Sequence, residues 1–189
     1  MPTTHTSSFS SFSFGLRMAG LALAALLSAC GGGGGTTSPA DATVTIRSFS
    51  VNGTGPEVSG VVPINASVNN GEFSLNWDVD SDDPVGYWTD TVLSADTVRD
   101  SGSAGPDVVI HQQGCLVGPL SRCSGPVQSF NCRFTTDNKI ICDFDGPYPQ
   151  ENFVGNFIDA LPKSAYLIFR ACTSLIDKCQ TQTVAIELQ

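Results

Sequence analysis

The sequence is short of positive charge: nine Lys and Arg face eighteen Asp and Glu in 189 residues, for a net charge of −9. Such a chain has no basic stretch from which to build a nucleic-acid face or a patch for anionic headgroups. Histidine is scarcer still. Of the two, His5 lies near the N-terminus and His111 stands alone in the body of the chain. A Ser-His-Asp or Cys-His site would have to use His111, and no serine sits in a G-x-S-x-G context. Paired C-x-x-C knuckles and companion histidines are missing as well, which argues against zinc. A glycosidase pair drawn from acids such as Asp143, Asp145 and Glu151 is not required by their spacing. No apolar run reaches the roughly twenty residues of a bilayer-spanning helix. Sustained helical periodicity is lacking too, apart from a weak trace over 152–161. These gaps point away from an enzyme and toward a binding or structural module.

What is present begins at the N-terminus. Arg17 precedes the apolar run Met18 to Leu27, and Leu27-Ser28-Ala29-Cys30 ends it, followed at once by five glycines. A basic residue, a short apolar core and a small-residue cleavage site form a secretory signal peptide. Residues 27–30 resemble the lipobox of bacterial lipoproteins. The resemblance implies that 1–29 is a lipoprotein signal peptide and that Cys30 becomes the first residue of the mature chain. It also implies lipid attachment at Cys30: a diacylglyceryl thioether and an N-acyl group of the palmitate type. Two or more acyl chains anchor a protein durably where one does so marginally. Gly31, not Asp, follows the cysteine, so the resemblance implies the outer membrane rather than the inner one. Residues 30–42 are then the lipidated cysteine and a Gly-rich leash of about 20 Å root-mean-square span. Residues 43–189 remain for one domain, and the chain from Cys30 onward carries eight basic against eighteen acidic side chains.

Cysteine usage fits an exported protein. Setting Cys30 aside leaves Cys115, Cys123, Cys132, Cys142, Cys172 and Cys179, an even number that suggests three disulfides in an oxidising compartment. Six cysteines allow fifteen connectivities. The nearest-neighbour set is 115–123, 132–142 and 172–179. Alternation supports two of these. Phe130, Cys132 and Phe134 share one strand face, Ile140, Cys142 and Phe144 another, and a fold about Asp137 sets Phe134 opposite Ile140, Cys132 opposite Cys142 and Phe130 opposite Phe144. Directly opposed residues lie within disulfide reach. A hairpin about 173–178 treats Cys172 and Cys179 in the same way.

The remainder reads as strand. Val44 and Ile46, then Phe49 and Val51, alternate with a phase slip near Ser48 that a bulge would produce. Val62 to Val68 alternates, and Phe73, Leu75, Trp77 and Val79 give the clearest strand of all. Tyr87 to Leu93, Val108 to His111, Ala165 to Cys172 and Cys179 to Leu188 follow. Turn residues at 69–71, 82–84 and 124–126 punctuate the runs. Many short strands with frequent turns predict an all-β antiparallel sandwich of about seven to nine strands with disulfide-braced hairpins.

Phe73-Ser-Leu-Asn-Trp77, an Asp-rich loop and Gly86-Tyr87-Trp88 resemble the B strand, loop and C strand of immunoglobulin-like and fibronectin type III-like domains. Tyr166 to Cys172 with Cys179 resembles their F–G hairpin. Residues 97–162 depart from that pattern as a long insertion. The resemblance implies a fold and no chemistry, since such sandwiches serve adhesion, scaffolding and ligand binding alike.

Two features carry candidate chemistry. Asp78, Asp80 and Asp82, with Asp83 beside them, offer hard oxygens at alternating positions and are candidate calcium ligands. An EF-hand is excluded, because position six is Asp83 and position twelve Thr89. No other cofactor is expected. Trp77 is expected in the core, and one of Tyr87 and Trp88 must face outward. The expected function is that of a membrane-anchored, non-enzymatic envelope lipoprotein that binds a protein partner. The alternative is a carbohydrate-binding or carbohydrate-active one.

Overall fold

A computed structural model describes residues 38–99, 107–118, 121–123, 125–144, 146, 149–176 and 178–189. Cys30, the signal-peptide segment and the glycine run lie outside these residues. The described residues form ten strands: β1 (Val44–Val51), β2 (Val62–Ile64), β3 (Glu72–Ser81), β4 (Gly86–Ser94), β5 (Val108–Leu116), β6 (Val127–Phe134), β7 (Lys139–Cys142), β8 (Gln150–Phe153), β9 (Lys163–Thr173) and β10 (Cys179–Leu188). They make two five-stranded sheets, ordered β1-β3-β6-β7-β8 and β2-β10-β9-β4-β5. The all-β sandwich is as expected; the count of ten exceeds the seven to nine read from the sequence. Pairing is antiparallel except for β2 against β10, which is parallel.

Period-two alternation builds each layer. On β3, Phe73, Leu75, Trp77 and Val79 are buried, while Ser74, Asn76 and Asp78 face outward. Burying a side chain of this size contributes about 1.5–3 kcal/mol. β1 bulges between Ile46 and Ser48, where the alternation slips. The centre of the sandwich is aromatic: Trp77 stacks on Phe130 and on Phe169, each at 4.9 Å, and Phe169 stacks on Phe49 at 5.0 Å.

The three disulfides join Cys115–Cys123, Cys132–Cys142 and Cys172–Cys179. Cys132 faces Cys142 across β6–β7, Phe134 faces Ile140, and Cys172 faces Cys179 across β9–β10. The expected pairing of Phe130 with Phe144 is absent, because β7 ends at Cys142. Two other expectations need correction. Within the 152–161 segment, residues 152–153 end strand β8 and a turn follows, and Asn152 donates to the Ile110 carbonyl of the facing sheet rather than joining a helical stripe. Residues 38–42, expected to belong to the leash, are held against the domain: the Lys178 ammonium binds the carbonyls of Ala40 and Ala42, and Ala42 is fully buried.

Both open sides of the sandwich are stitched by carboxamides. Gln180 and Gln182 of β10 bind the N–H and C=O of Ile46 on β1, at 3.0 and 3.3 Å. On the other side Gln150 and Asn152 of β8 bind backbone groups of Gln112 and Ile110 on β5. Edge strands left bare invite pairing with other chains. Here side chains occupy those positions.

Candidate functional site

The expected calcium ligands do not converge. Asp78 and Asp80 point out from β3, and Asp80 pairs with Arg47 at 2.7 Å. Asp82 lies past the strand end, where its Oδ1 accepts the Thr43 N–H at 2.6 Å. Among the described residues no group of three or more His, Cys, Asp or Glu is placed to hold a metal. Alternation explains the difference: residues two apart share a sheet face, and β3 stays extended through Ser81 rather than curling into a loop.

Asp83 turns inward as a strut. Its Oδ1 accepts from Val85 at 2.9 Å and its Oδ2 from Ser174 at 2.8 Å, which ties the β3–β4 turn to the β9–β10 hairpin. Burial opposes its ionisation, but the amides of Ser174 and Val85 outweigh it and hold the carboxyl below its ordinary value.

His111 is 1% exposed and packs against Phe130 at 4.5 Å and Trp77 at 5.5 Å. Burial pushes its pKa down to about 4. It is a neutral core ring at the meeting of the two sheets. Of the acids weighed as a glycosidase pair, Glu151 is held by Lys139 at 2.7 Å, Asp143 sits in the turn after β7, and Asp145 lies outside the described residues.

Among the described residues, a concavity lined by polar and aromatic groups lies elsewhere, on the outer face of the second sheet. It is a depression of about 570 Å³ whose floor is formed by Trp88 and Asp90 of β4, Gln112 and Gly114 of β5 and Arg170 of β9. Arg122 and Ile176 form part of its wall. Tyr87 points into the core, so Trp88, one residue on, points outward and is 41% exposed. Trp88 pairs across the ladder with Gly114. Its six-membered ring lies so close over that glycine that a Cβ there would fall 2.7 Å from Cζ3. Isolated glycine within a strand marks such close approach.

Asp90 is held beside the ring by two guanidinium groups. Its Oδ2 accepts from Nε of Arg170 at 3.1 Å as well as from Nη2, and Arg99 approaches the same oxygen at 3.2 Å. Among the described lining residues Asp90 is the single carboxylate. Inverting or retaining glycoside hydrolysis needs two, roughly 5–9.5 Å apart.

Gly114, Gln112 and Arg122 belong to no motif, and Arg170 entered the sequence reading only as part of the Tyr166–Cys172 stretch, with no role assigned. The available signal was Gly114, an interruption within the β-rich stretch that follows Val108. It went unused because the strand was expected to stop at His111, whereas β5 continues to Leu116. Comparison with protein-family models, curated proteins and solved structures yields no match for this chain.

Proposed function

We propose that the chain is a non-enzymatic binding module, lipid-anchored through Cys30 in the bacterial cell envelope, whose Trp88 depression takes a saccharide ligand. The observation that carries this reading is an indole ring fixed on a sheet face and left open, with amide and guanidinium groups beside it. Aromatic rings pack against apolar faces while neighbouring polar groups fix orientation, and pockets of roughly 300–1,000 Å³ suit small ligands. A lone carboxylate held by Arg170 and Arg99, and a histidine sunk in the core, supply no general acid and base pair.

Sheet order supports the immunoglobulin-like reading of the scaffold. The segments that resemble strands C, F and G are β4, β9 and β10, adjacent in that order, while the segment that resembles strand B is β3 in the facing sheet. The insertion 97–162 contributes β5 to β8. Export is supported by three disulfides in the domain.

A glycan array with the mature protein tests the ligand. Binding that is lost in Trp88→Ala, with an unchanged melting temperature, supports the reading. Absence of glycan binding, together with co-purification of an envelope protein from membranes, overturns it in favour of a protein partner.

A further inference from the structure

The strands run so that one end of the sandwich collects the β3–β4 turn, the C-terminus of β5 and the β9–β10 turn. Val117 N–H donates to the Val85 carbonyl at 2.9 Å, and Ser174 N–H donates to Asp83 in the β3–β4 turn. On these three connections Val85, Val117, Leu175 and Ile176 are 47%, 70%, 58% and 56% exposed. The disulfides Cys115–Cys123 and Cys172–Cys179 brace two of the connections. Aliphatic tips on pinned connections cannot fold back to hide from water. Val68 and Leu161 are exposed at the opposite end, and Val127, 64% exposed, opens β6 in the facing sheet beside Asp78, toward this same end.

This end is also where the N-terminal segment enters the domain. Val44 opens β1 opposite Ser81, the last residue of β3, and Thr43 N–H binds Asp82. Lys178 of the β9–β10 turn holds the carbonyls of Ala40 and Ala42. Only residues 31–37 separate Cys30 from Ser38, the first described residue. A Gly-rich chain of that length has a root-mean-square span of about 16 Å and a fully extended reach of under about 30 Å.

We infer that Val85, Val117, Leu175 and Ile176 dock on the bilayer that holds the Cys30 acyl chains, so that the domain stands on this end. The inference rests on lipidation of Cys30. The partner is a lipid surface because the leash ends beside these tips and is too short to let the domain roam far from it. Aliphatic and aromatic side chains at such a contact bury into the headgroup and acyl boundary, about 5–10 Å deep. Trp88 lies beside Ile176 at the rim of the same end, at a level where indoles concentrate at membrane interfaces. The acidic net charge is compatible with apolar insertion and not with attraction to anionic lipid. The Trp88 depression then opens sideways, along the membrane, rather than away from it.

The test uses the full lipidated protein reconstituted in vesicles that contain acyl-brominated lipid, in a Trp88→Phe background where Trp77 is the buried constant. Tryptophan placed singly by Val117→Trp or Leu175→Trp is expected to be quenched by bromine and blue-shifted, while Val68→Trp at the opposite end is not. Protein that floats with the vesicles but shows equal, weak quenching at all three positions overturns the docking and leaves the anchor standing. Protein that does not float overturns lipidation and the docking with it. Hydrogen exchange on the unsubstituted protein reads the same contact without any variant. Slower exchange at 85–86 and 174–176 in vesicles than in lipid-free solution supports the docking, and unchanged exchange contradicts it.

Discussion

Gln150 stands to Gln112 as a strand partner would: its Oε1 accepts the Gln112 N–H at 2.8 Å and its Nε2 donates to the Gln112 carbonyl at 2.9 Å. One carboxamide thus satisfies both backbone groups of a residue on the outermost strand of the facing sheet. Asn152 repeats half of the arrangement on Ile110 at 3.1 Å. Gln150→Ala should lower stability by about 1 kcal/mol, the net value of such bonds. It should also promote self-association through β5, because a bared edge seeks a partner. Urea unfolding and light scattering on the variant check both effects.

The buried imidazole of His111 makes stability depend on pH. Unfolded, it binds a proton near pH 6.5; folded, not until about pH 4. As pH falls through that window the unfolded state holds more protons, so stability is whole above it and is lost on acidification. The full window is worth about 3 kcal/mol, at about 1.4 kcal/mol per unit. Denaturation of wild type and His111→Phe across pH 7 to 4 should show the steeper loss in wild type. Parallel curves would contradict the neutral core assignment.

The Asp83 strut should cost about 2–3 kcal/mol to remove, since two amides lose a charged acceptor in a buried site. Asp83→Ala should also loosen the β9–β10 hairpin, seen as faster hydrogen exchange at Ser174.

Gly114→Ala should displace the Trp88 ring, because the new methyl would meet Cζ3 at 2.7 Å. A side chain can yield where backbone cannot, so the stability cost should be small, on the order of 1 kcal/mol. The tryptophan emission should shift, and saccharide binding should weaken with it.

Titration of the unfolded, unreduced domain from residue 38 onward should find no free thiol. Cys132 and Cys142 are both fully buried, so their bond should be the last opened by reductant. Replacing that pair by alanine should cost about 2.5 kcal/mol on the chain-entropy account of so short a loop.

Much of this architecture is legible in the residues. Alternation at Phe73 to Val79 and the slip at Ser48 are local signals, and they locate β3 and the bulge of β1. Two of the cysteine pairs, 132–142 and 172–179, follow from hairpin register, which is set by near neighbours. The binding surface is not local. Trp88, Gly114 and Arg170 meet only because β4 lies between β5 and β9, and no spacing along the chain encodes that order. Asp83 and Asp82 look alike in sequence, and their different tasks are decided by which backbone amides the fold brings near. The carboxamide seams are equally invisible, since Gln180 and Gln150 read as ordinary polar strand residues.

Mass spectrometry of the native product from membranes addresses the central claim most directly. The account predicts a chain that begins at Cys30 and carries the added mass of a diacylglyceryl group and an N-linked acyl chain. An unmodified polypeptide that retains residues 1–29 would contradict it.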